Sequence, residues 1–564
     1  MVARDFMKGA SLSTRLLSAC PQLTILATSR EALGIAGEAV YTVAPLPVPA
    51  TDEEVLATES AQLFIDRAML ARPTFVLSPG HREAVARICR RLDGIPLAIE
   101  LAAARVKAMS VDQIADRLAE HLGWLVGPAR AGQARHQTLQ ALVDWSHALL
   151  SEPERIFFRR LAVFVGGFSL EAAEAWAVDD AGLALLARLI DRSLVMTDER
   201  PGQSMRYRLL EPLRVYAFEK LETAGESAAI VDRHAAYFAR LAGEADRHSQ
   251  GPRQAEWVEH LARDADNLRA ALNRLIEQGQ SDRALRMCAD LGWLWVYNSE
   301  LAEGRRWLSR VLALPDVARY PADLARAWTF MGVLAFLQTE TLEARPWLER
   351  ALGWAREHDE PLTAALALDF LALILLREHD VTGARAGLEA SQALFARAGG
   401  DVGQAITVWH LGYVAEQEND MARAVALFES ARERFRSWGD VLRQCAILRS
   451  LGWNYCQLGD RVQGLAALRD SLTLARAIHN KVNVAHTLRA MAERALDPAC
   501  AVRLLSAALV VYENLGAVTF ASALRDTDLA ARRTELDQTT YQRASEQGRA
   551  LTLDQAIDEA LRLT

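Results

Sequence analysis

Arg30 ends the stretch Thr24-Ile-Leu-Ala-Thr-Ser-Arg30, in which Leu23, Ile25 and Leu26 give an apolar run and Thr28 and Ser29 a polar tip. That pattern predicts a short buried β-strand ending at a ligand crevice. A guanidinium there suits an anion such as a nucleotide phosphate, because its planar fork donates two parallel hydrogen bonds. The usual phosphate cradle is missing: the 564 residues hold no G-x-x-x-x-G-K-[ST] and no Gly-Lys pair. There is also no H-E-x-x-H and no Gly-x-Ser-x-Gly, so no catalytic constellation competes for attention. Cys20, Cys89, Cys288, Cys445, Cys456 and Cys500 form no C-x-x-C pair and have no histidine partner at zinc spacing. They read as reduced thiols, and no metal site is expected.

Charge and hydropathy narrow the class further. A formal net charge of -8 argues against a chain-wide nucleic-acid footprint, which is normally basic. The most apolar run, Ala364 to Leu376, is too short to span a bilayer and contains Asp369. The N-terminus, with Arg4, Asp5 and Lys8, lacks the apolar core of a signal peptide. The expectation is a cytoplasmic protein without a membrane segment. Its length predicts roughly three to five domains.

The elements that must position these residues fall into blocks. Residues 1–50 read as a helix with Leu12, Leu16 and Leu17 on one face, the strand, and a second short strand over Ala39–Val43. Pro45, Pro47 and Pro49 then break regular structure. So short an α/β unit cannot cover a parallel sheet on both faces, which makes this block a remnant. Residues 51–125 have helical periodicity, with Gly94-Ile-Pro96 as a helix stop followed by a new start. Residues 126–225 alternate short helices with two β signals, Leu194–Thr197 and Arg206–Leu210, as in a winged helix. Residues 226–280 read as a helical connector, 281–520 as a repeat array and 521–564 as a helical cap.

The array carries the strongest signal. Gly292, Gly332, Ala372, Gly412 and Gly452 stand forty residues apart. Twelve positions after each lies another small residue, Gly304, Ala344, Ala384, Ala424 or Gly464. Sixteen positions after each lies a large one, Leu308, Leu348, Leu388, Phe428 or Leu468. Val311, Ala351, Ser391, Ala431 and Ser471 follow at nineteen. Small residues at two fixed points let paired helices approach while the large residue fills the seam, the logic of a helix-turn-helix solenoid. The offsets resemble the tetratricopeptide repeat, stretched to forty residues and without a closing proline at a constant position.

More specific stretches lie upstream. Leu17-Ser-Ala-Cys-Pro-Gln-Leu-Thr-Ile-Leu-Ala-Thr-Ser-Arg-Glu-Ala-Leu-Gly34 resembles the strand after Walker B in bacterial STAND-class (NB-ARC-like) ATP-binding transcriptional regulators of LuxR and AfsR type. Leu92-Asp-Gly-Ile-Pro-Leu-Ala-Ile-Glu-Leu-Ala-Ala-Ala-Arg105 is similar to their G-x-P helix. His136-Gln-Thr-Leu, Asp144-Trp-Ser and Phe158-Arg-Arg-Leu-Ala-Val-Phe164 resemble the opening of their winged helix. Asp266-Asn-Leu-Arg-Ala-Ala271 and Gly548-Arg-Ala-Leu-Thr-Leu-Asp-Gln-Ala556 also fit. The resemblance implies a mainly α chain: a truncated α/β nucleotide-domain remnant, a helical lid, a winged helix and an α-solenoid of TPR-like helix pairs. Counting back from Cys20-Pro21, the family's Walker B acid falls at or before Met1, and no LuxR-type helix-turn-helix follows Leu563-Thr564. The chain is therefore expected to be N-terminally incomplete.

The resemblance also implies roles for particular residues. Arg30 matches a sensor arginine, and Pro96 matches a residue lining the adenine pocket, so together they would mark a vestigial nucleotide site. Plain chemistry gives each another reading, a solvated arginine at a strand end and a proline at a first helical turn. ATP or ADP is the cofactor of intact members, and none is expected for this chain. Inner-face positions of the first helices give a partner groove: Trp293, Tyr297, Arg326, Asp369, Arg377, Trp409, Tyr413, Arg449 and Trp453. Aromatic and arginine side chains dominate binding hot spots, although singly each aromatic also suits packing between repeats. Ser169 to Arg192 holds Glu171, Glu174, Asp179, Asp180 and Asp191 against Arg188 and Arg192, a poor balance for phosphate contacts. The resulting expectation is a sensor-and-arm protein that binds a protein, a peptide or a small inducer through its repeats, without direct nucleic-acid binding. Self-association, an ATP-dependent regulator completed by missing parts, and a plain repeat scaffold remain the alternatives.

Overall fold

The computed structural model describes residues 14–20, 22–25, 35–39, 41, 43–120, 139–177, 181–199, 204–249, 253–338, 340–478, 480–514 and 518–563. Two compact units divide at His234 and Ala235.

In the first unit, residues 14–19 are helical. Of the strand expected at Thr24–Arg30, the described residues Thr24 and Ile25 are exposed and lie outside any strand, and the rest falls outside the described residues. Tyr41 and Val43, expected in a second strand, are likewise exposed and irregular. Arg30 lies outside the described residues.

The lid helices Glu59–Ala71, Arg82–Arg91, Pro96–Ala103 and Val111–Glu120 pack around Phe64, Ile88, Leu92, Ile99 and Leu118. Asp93 and Gly94 both take positive φ and end the second helix. A side chain at Gly94 would collide with the Leu46 carbonyl, because the Leu46 amide donates to the Gly94 carbonyl at 3.0 Å. Pro96 follows at the first turn of its helix, where a missing N–H leaves nothing unsatisfied.

The winged helix follows the expected order. Helices Leu139–Ala148, Glu152–Leu161, Leu170–Glu174 and Gly182–Asp191 precede an antiparallel pair, Met196–Asp198 with Arg206–Arg208, and then helix Glu211–Thr223. Met196 pairs with Arg208, and Phe168 bridges to Tyr207. Phe157, Phe158, Phe164, Phe168 and Trp176 form its aromatic core. Ser151 and Glu154 close a capping box at the start of the second helix.

The second unit has no strand among its described residues. After helices 254–263 and 265–277 comes an α-solenoid of TPR-like pairs. The first helices of repeats two to five are Pro321–Leu337, Pro361–Arg377, Asp401–Gln417 and Val441–Gln457. Their partners are Thr341–Glu357, Val381–Arg397, Met421–Ser437 and Arg461–Ala477. In repeat one the first helix is interrupted at Leu291, between Ser281–Asp290 and Gly292–Tyr297, before its partner Leu301–Leu312.

The small residues do what their spacing predicts. A Cβ on Gly332 would lie 2.6 Å from Leu348, one on Gly452 2.6 Å from Leu468, and one on Gly412 would strike Phe428. Each is the large residue sixteen positions on. Gly292 departs from the pattern, facing Phe330 of the next repeat. At the nineteenth position, the Ser391 and Ser471 hydroxyls donate at 2.8 Å to the carbonyls of Ala365 and Cys445.

A half-period emerges from the turns. Asp359, His379, Gly399, Asn419, Gly439 and Gly459 all have positive φ, twenty residues apart. The residue after four of them, Asp380, Asp420, Asp440 or Asp460, accepts the amide three positions on as an N-cap. Arginines on second helices also reach acids in the next repeat, as Arg345 does with Glu378 and Arg385 with Glu418.

Candidate ligand groove

The solenoid curves far enough for repeat one to meet repeat five. The Arg443 guanidinium lies 5.4 Å from the Trp293 ring centroid and 5.5 Å from that of Tyr297, and it pairs with Asp440. Arg443, Asp440 and Tyr297 are all buried. The Asn480 side chain donates to the Tyr297 carbonyl at 3.1 Å, and Gln254 donates to Asp440 at 3.3 Å. The fold can bury these charges because each has a partner.

Beside this closure lies a cavity of about 640 Å³, walled by the first helices of repeats two to four, by residues 246–249 and by Trp438. Trp293, Phe330, Leu366, Phe395 and Ile406 give it apolar surface. Arg326, Asp246, Glu360 and Asp401 add charge. Arg326 bonds Asp246 at 2.8 Å and Asp290 at 3.0 Å, and stands 3.8 Å from Asp323. Burial pushes the Asp246 carboxyl up to about 6, with Arg326 pulling against it and Asp290 adding to it.

The expected groove residues separate into three groups. Trp293 and Arg326 line the cavity. Tyr297 belongs to the closure with Arg443. The rest pack within or between repeats and away from the cavity. Arg377 lies 3.7 Å from the Phe336 ring centroid and donates to the Phe336 carbonyl at 3.2 Å. Tyr413 packs on Phe428 and Trp409, with centroids 5.5 and 5.9 Å away, and Arg449 donates to Asn483 at 3.3 Å. Trp453 is half-buried and does not line the cavity. Asp369 is fully buried, bonded to His410 at 2.6 Å and to Thr407 at 3.1 Å. Sequence reading missed Leu366 and Ile406, which share the forty-residue register of Arg326 and were detectable from it. It also missed Asp246, which precedes the repeats and has no register to betray it.

A second cavity, about 430 Å³, lies between lid and winged helix within the first unit. Arg87, Arg90, Arg91, Arg208 and Arg214 line it with only Asp93 and Glu211 as acids. Asp93 accepts from Arg208 at 3.2 Å and from the Glu211 amide, while Arg91 and Arg214 both pair with Glu211. Pro96 is exposed and does not line this cavity.

Comparison with known proteins adds family context. Residues 150–222 match the model of a winged helix-turn-helix domain. Over 308 residues the chain is 45% identical to a Mycobacterium tuberculosis protein named "Putative HTH-type transcriptional regulator Rv0890c", covering 54% of this chain and 34% of that protein. Over 231 residues it is 42% identical to a second M. tuberculosis protein, "Uncharacterized protein Rv0894", covering 40% of this chain and 56% of that one. The chain thus spans about a third of the length of the first of these relatives, 34%. A STAND protein with a tetratricopeptide repeat sensor from Pyrococcus horikoshii aligns with 91% of this chain and 68% of its own, at 14% identity and a TM-score of 0.40. The chain carries a winged helix-turn-helix domain and is similar to proteins named as HTH-type transcriptional regulators.

Proposed function

We propose that the chain is the sensing and signalling arm of a STAND-type transcriptional regulator, whose repeats bind a protein or peptide segment or a small inducer. The observation that carries this reading is the cavity of about 640 Å³ formed where the repeats curve back on themselves. It combines aromatic and aliphatic walls with a few charged groups, the usual make-up of a ligand site. The winged helix acts through packing in this reading. The exposed face of Gly182–Asp191 offers Leu183, Ala184, Ala187, Arg188 and Asp191, one cation against one carboxylate. Transcript profiles in the native host, with this chain or a cavity-blocking Leu366→Trp variant overproduced, test the reading. The wild type should shift a defined set of transcripts and the variant should not. Identical profiles from both would overturn it.

The arginine-lined cavity favours a second reading, an ATP-dependent regulator in which those arginines meet nucleotide phosphates. Titration calorimetry of the chain with ATP decides between them. Heat consistent with micromolar binding that Arg208→Ala abolishes would support the second reading, and absence of heat supports the first.

A further inference from the structure

We infer that the solenoid cavity is built for a peptide segment that carries a basic side chain between apolar ones. This rests on the cavity being the ligand site proposed above, and it adds the chemistry of what enters.

Charge balance carries the argument. Asp246, Glu360 and Asp401 line the cavity against Arg247 and Arg326, and Arg326 is shared with Asp290 behind it. Asp323 is engaged from outside by Arg286 at 3.2 Å, so it does not draw on a guest. Carboxylates therefore exceed guanidiniums at the cavity wall, and the guanidinium that bonds the Asp246 carboxyl is shared with another acid. An incoming ammonium or guanidinium would meet that carboxylate across a partly desolvated space, where ion pairs are stronger than in water. An incoming carboxylate would be repelled there.

The same side of the solenoid already holds a cation in this way. Arg443 rests against Trp293 and Tyr297 while pairing with Asp440. Trp293 lines the cavity as well, so an indole is at hand for a guest cation. Phe330, Leu366 and Ile406 supply contact area on either side for flanking apolar residues.

The test is selection of a random heptapeptide library on the full chain, followed by fluorescence polarisation of the enriched peptides. Enriched peptides should contain Arg or Lys next to Leu, Ile or Phe. Replacing that Arg by citrulline, which keeps the shape and removes the charge, should weaken binding at least tenfold. Asp246→Asn, which preserves size and can still accept from Arg326, should weaken the Arg peptide and leave the citrulline peptide unchanged. If enriched peptides are neutral or acidic, or if citrulline binds as well as Arg, the charge inference fails while the cavity reading stands. If no peptide binds wild type better than a Leu366→Trp variant of unchanged circular dichroism and melting, both fail.

Discussion

The Arg443 guanidinium stands 5.4 Å from the centre of the Trp293 ring, although the two residues belong to the fifth and first repeats. A linear stack would keep those repeats apart. Their meeting brings repeat five back onto repeat one beside the cavity.

Removing that cation should be expensive. Arg443→Met leaves Asp440 buried with only Gln254 and its own cap amide as donors. Breaking one side of a buried pair typically costs about 3–5 kcal/mol. Urea denaturation should show that loss, and small-angle scattering should show a larger radius of gyration as repeats one and five separate.

Gly412 should tolerate no side chain without displacing its neighbour, alanine's methyl included. Phe428 occupies the space a Cβ would need, while repeat three has Ala372 at the equivalent place. Overpacking of this kind costs about 1–3 kcal/mol. Gly412→Val should lower the denaturation midpoint accordingly.

His379 occupies a left-handed turn position that Gly399, Gly439 and Gly459 fill elsewhere. The left-handed backbone costs a residue with a Cβ roughly 1–2 kcal/mol, part of which glycine loses again to its greater freedom when unfolded. His379→Gly should therefore raise the melting temperature slightly. In the equivalent turn one repeat further on, Asp420→Ala removes an N-cap and should cost about 1 kcal/mol.

Glu416 gives the pH prediction. Burial pushes its carboxyl up to about 7 from an ordinary 4.5, with the Asn454 hydrogen bond pulling the other way. A carboxyl with a raised folded-state pKa contributes stability that is fully present below its unfolded value and lost as pH rises through the folded one. The window runs from 4.5 to about 7. Glu416→Gln should leave melting near pH 4.5 unchanged and raise it at pH 8, flattening that part of the profile.

The ion pair between Arg345 and Glu378 should contribute little. Their side chains are 32% and 45% exposed, and exposed pairs give about 0.2–1 kcal/mol. Arg345→Ala should shift the denaturation midpoint far less than Arg443→Met.

Sequence periodicity exposed the solenoid because each repeat must solve the same packing problem at the same offset. Gly332 with Leu348 and Gly452 with Leu468 are that solution written twice. The turn signal was equally present, in His379-Asp380, Asn419-Asp420, Gly439-Asp440 and Gly459-Asp460, but with Gly399 and Gly439 included its step is twenty residues, half the period of the small and large positions. The winged helix was legible because its short helices give way to two β signals, Leu194–Thr197 and Arg206–Leu210, and because Phe158-Arg-Arg-Leu-Ala-Val-Phe164 marks its opening locally. Of the N-terminal strand only Thr24 and Ile25 lie among the described residues, so its remaining positions, Arg30 included, fall outside the structure described. The cavity was only partly legible. Arg326 follows from repeat register, but Asp246 and the Arg443 contact depend on how far the array bends. That curvature sums small rotations over many residues, and no single residue records it.

Repeat arrays usually change length freely, since a unit added in the middle touches only its neighbours. The contacts of Arg443 with Trp293, and of Asn480 with the Tyr297 carbonyl, remove that freedom here. Duplicating or deleting one forty-residue unit would carry these partners past one another, so the number of repeats is fixed by geometry.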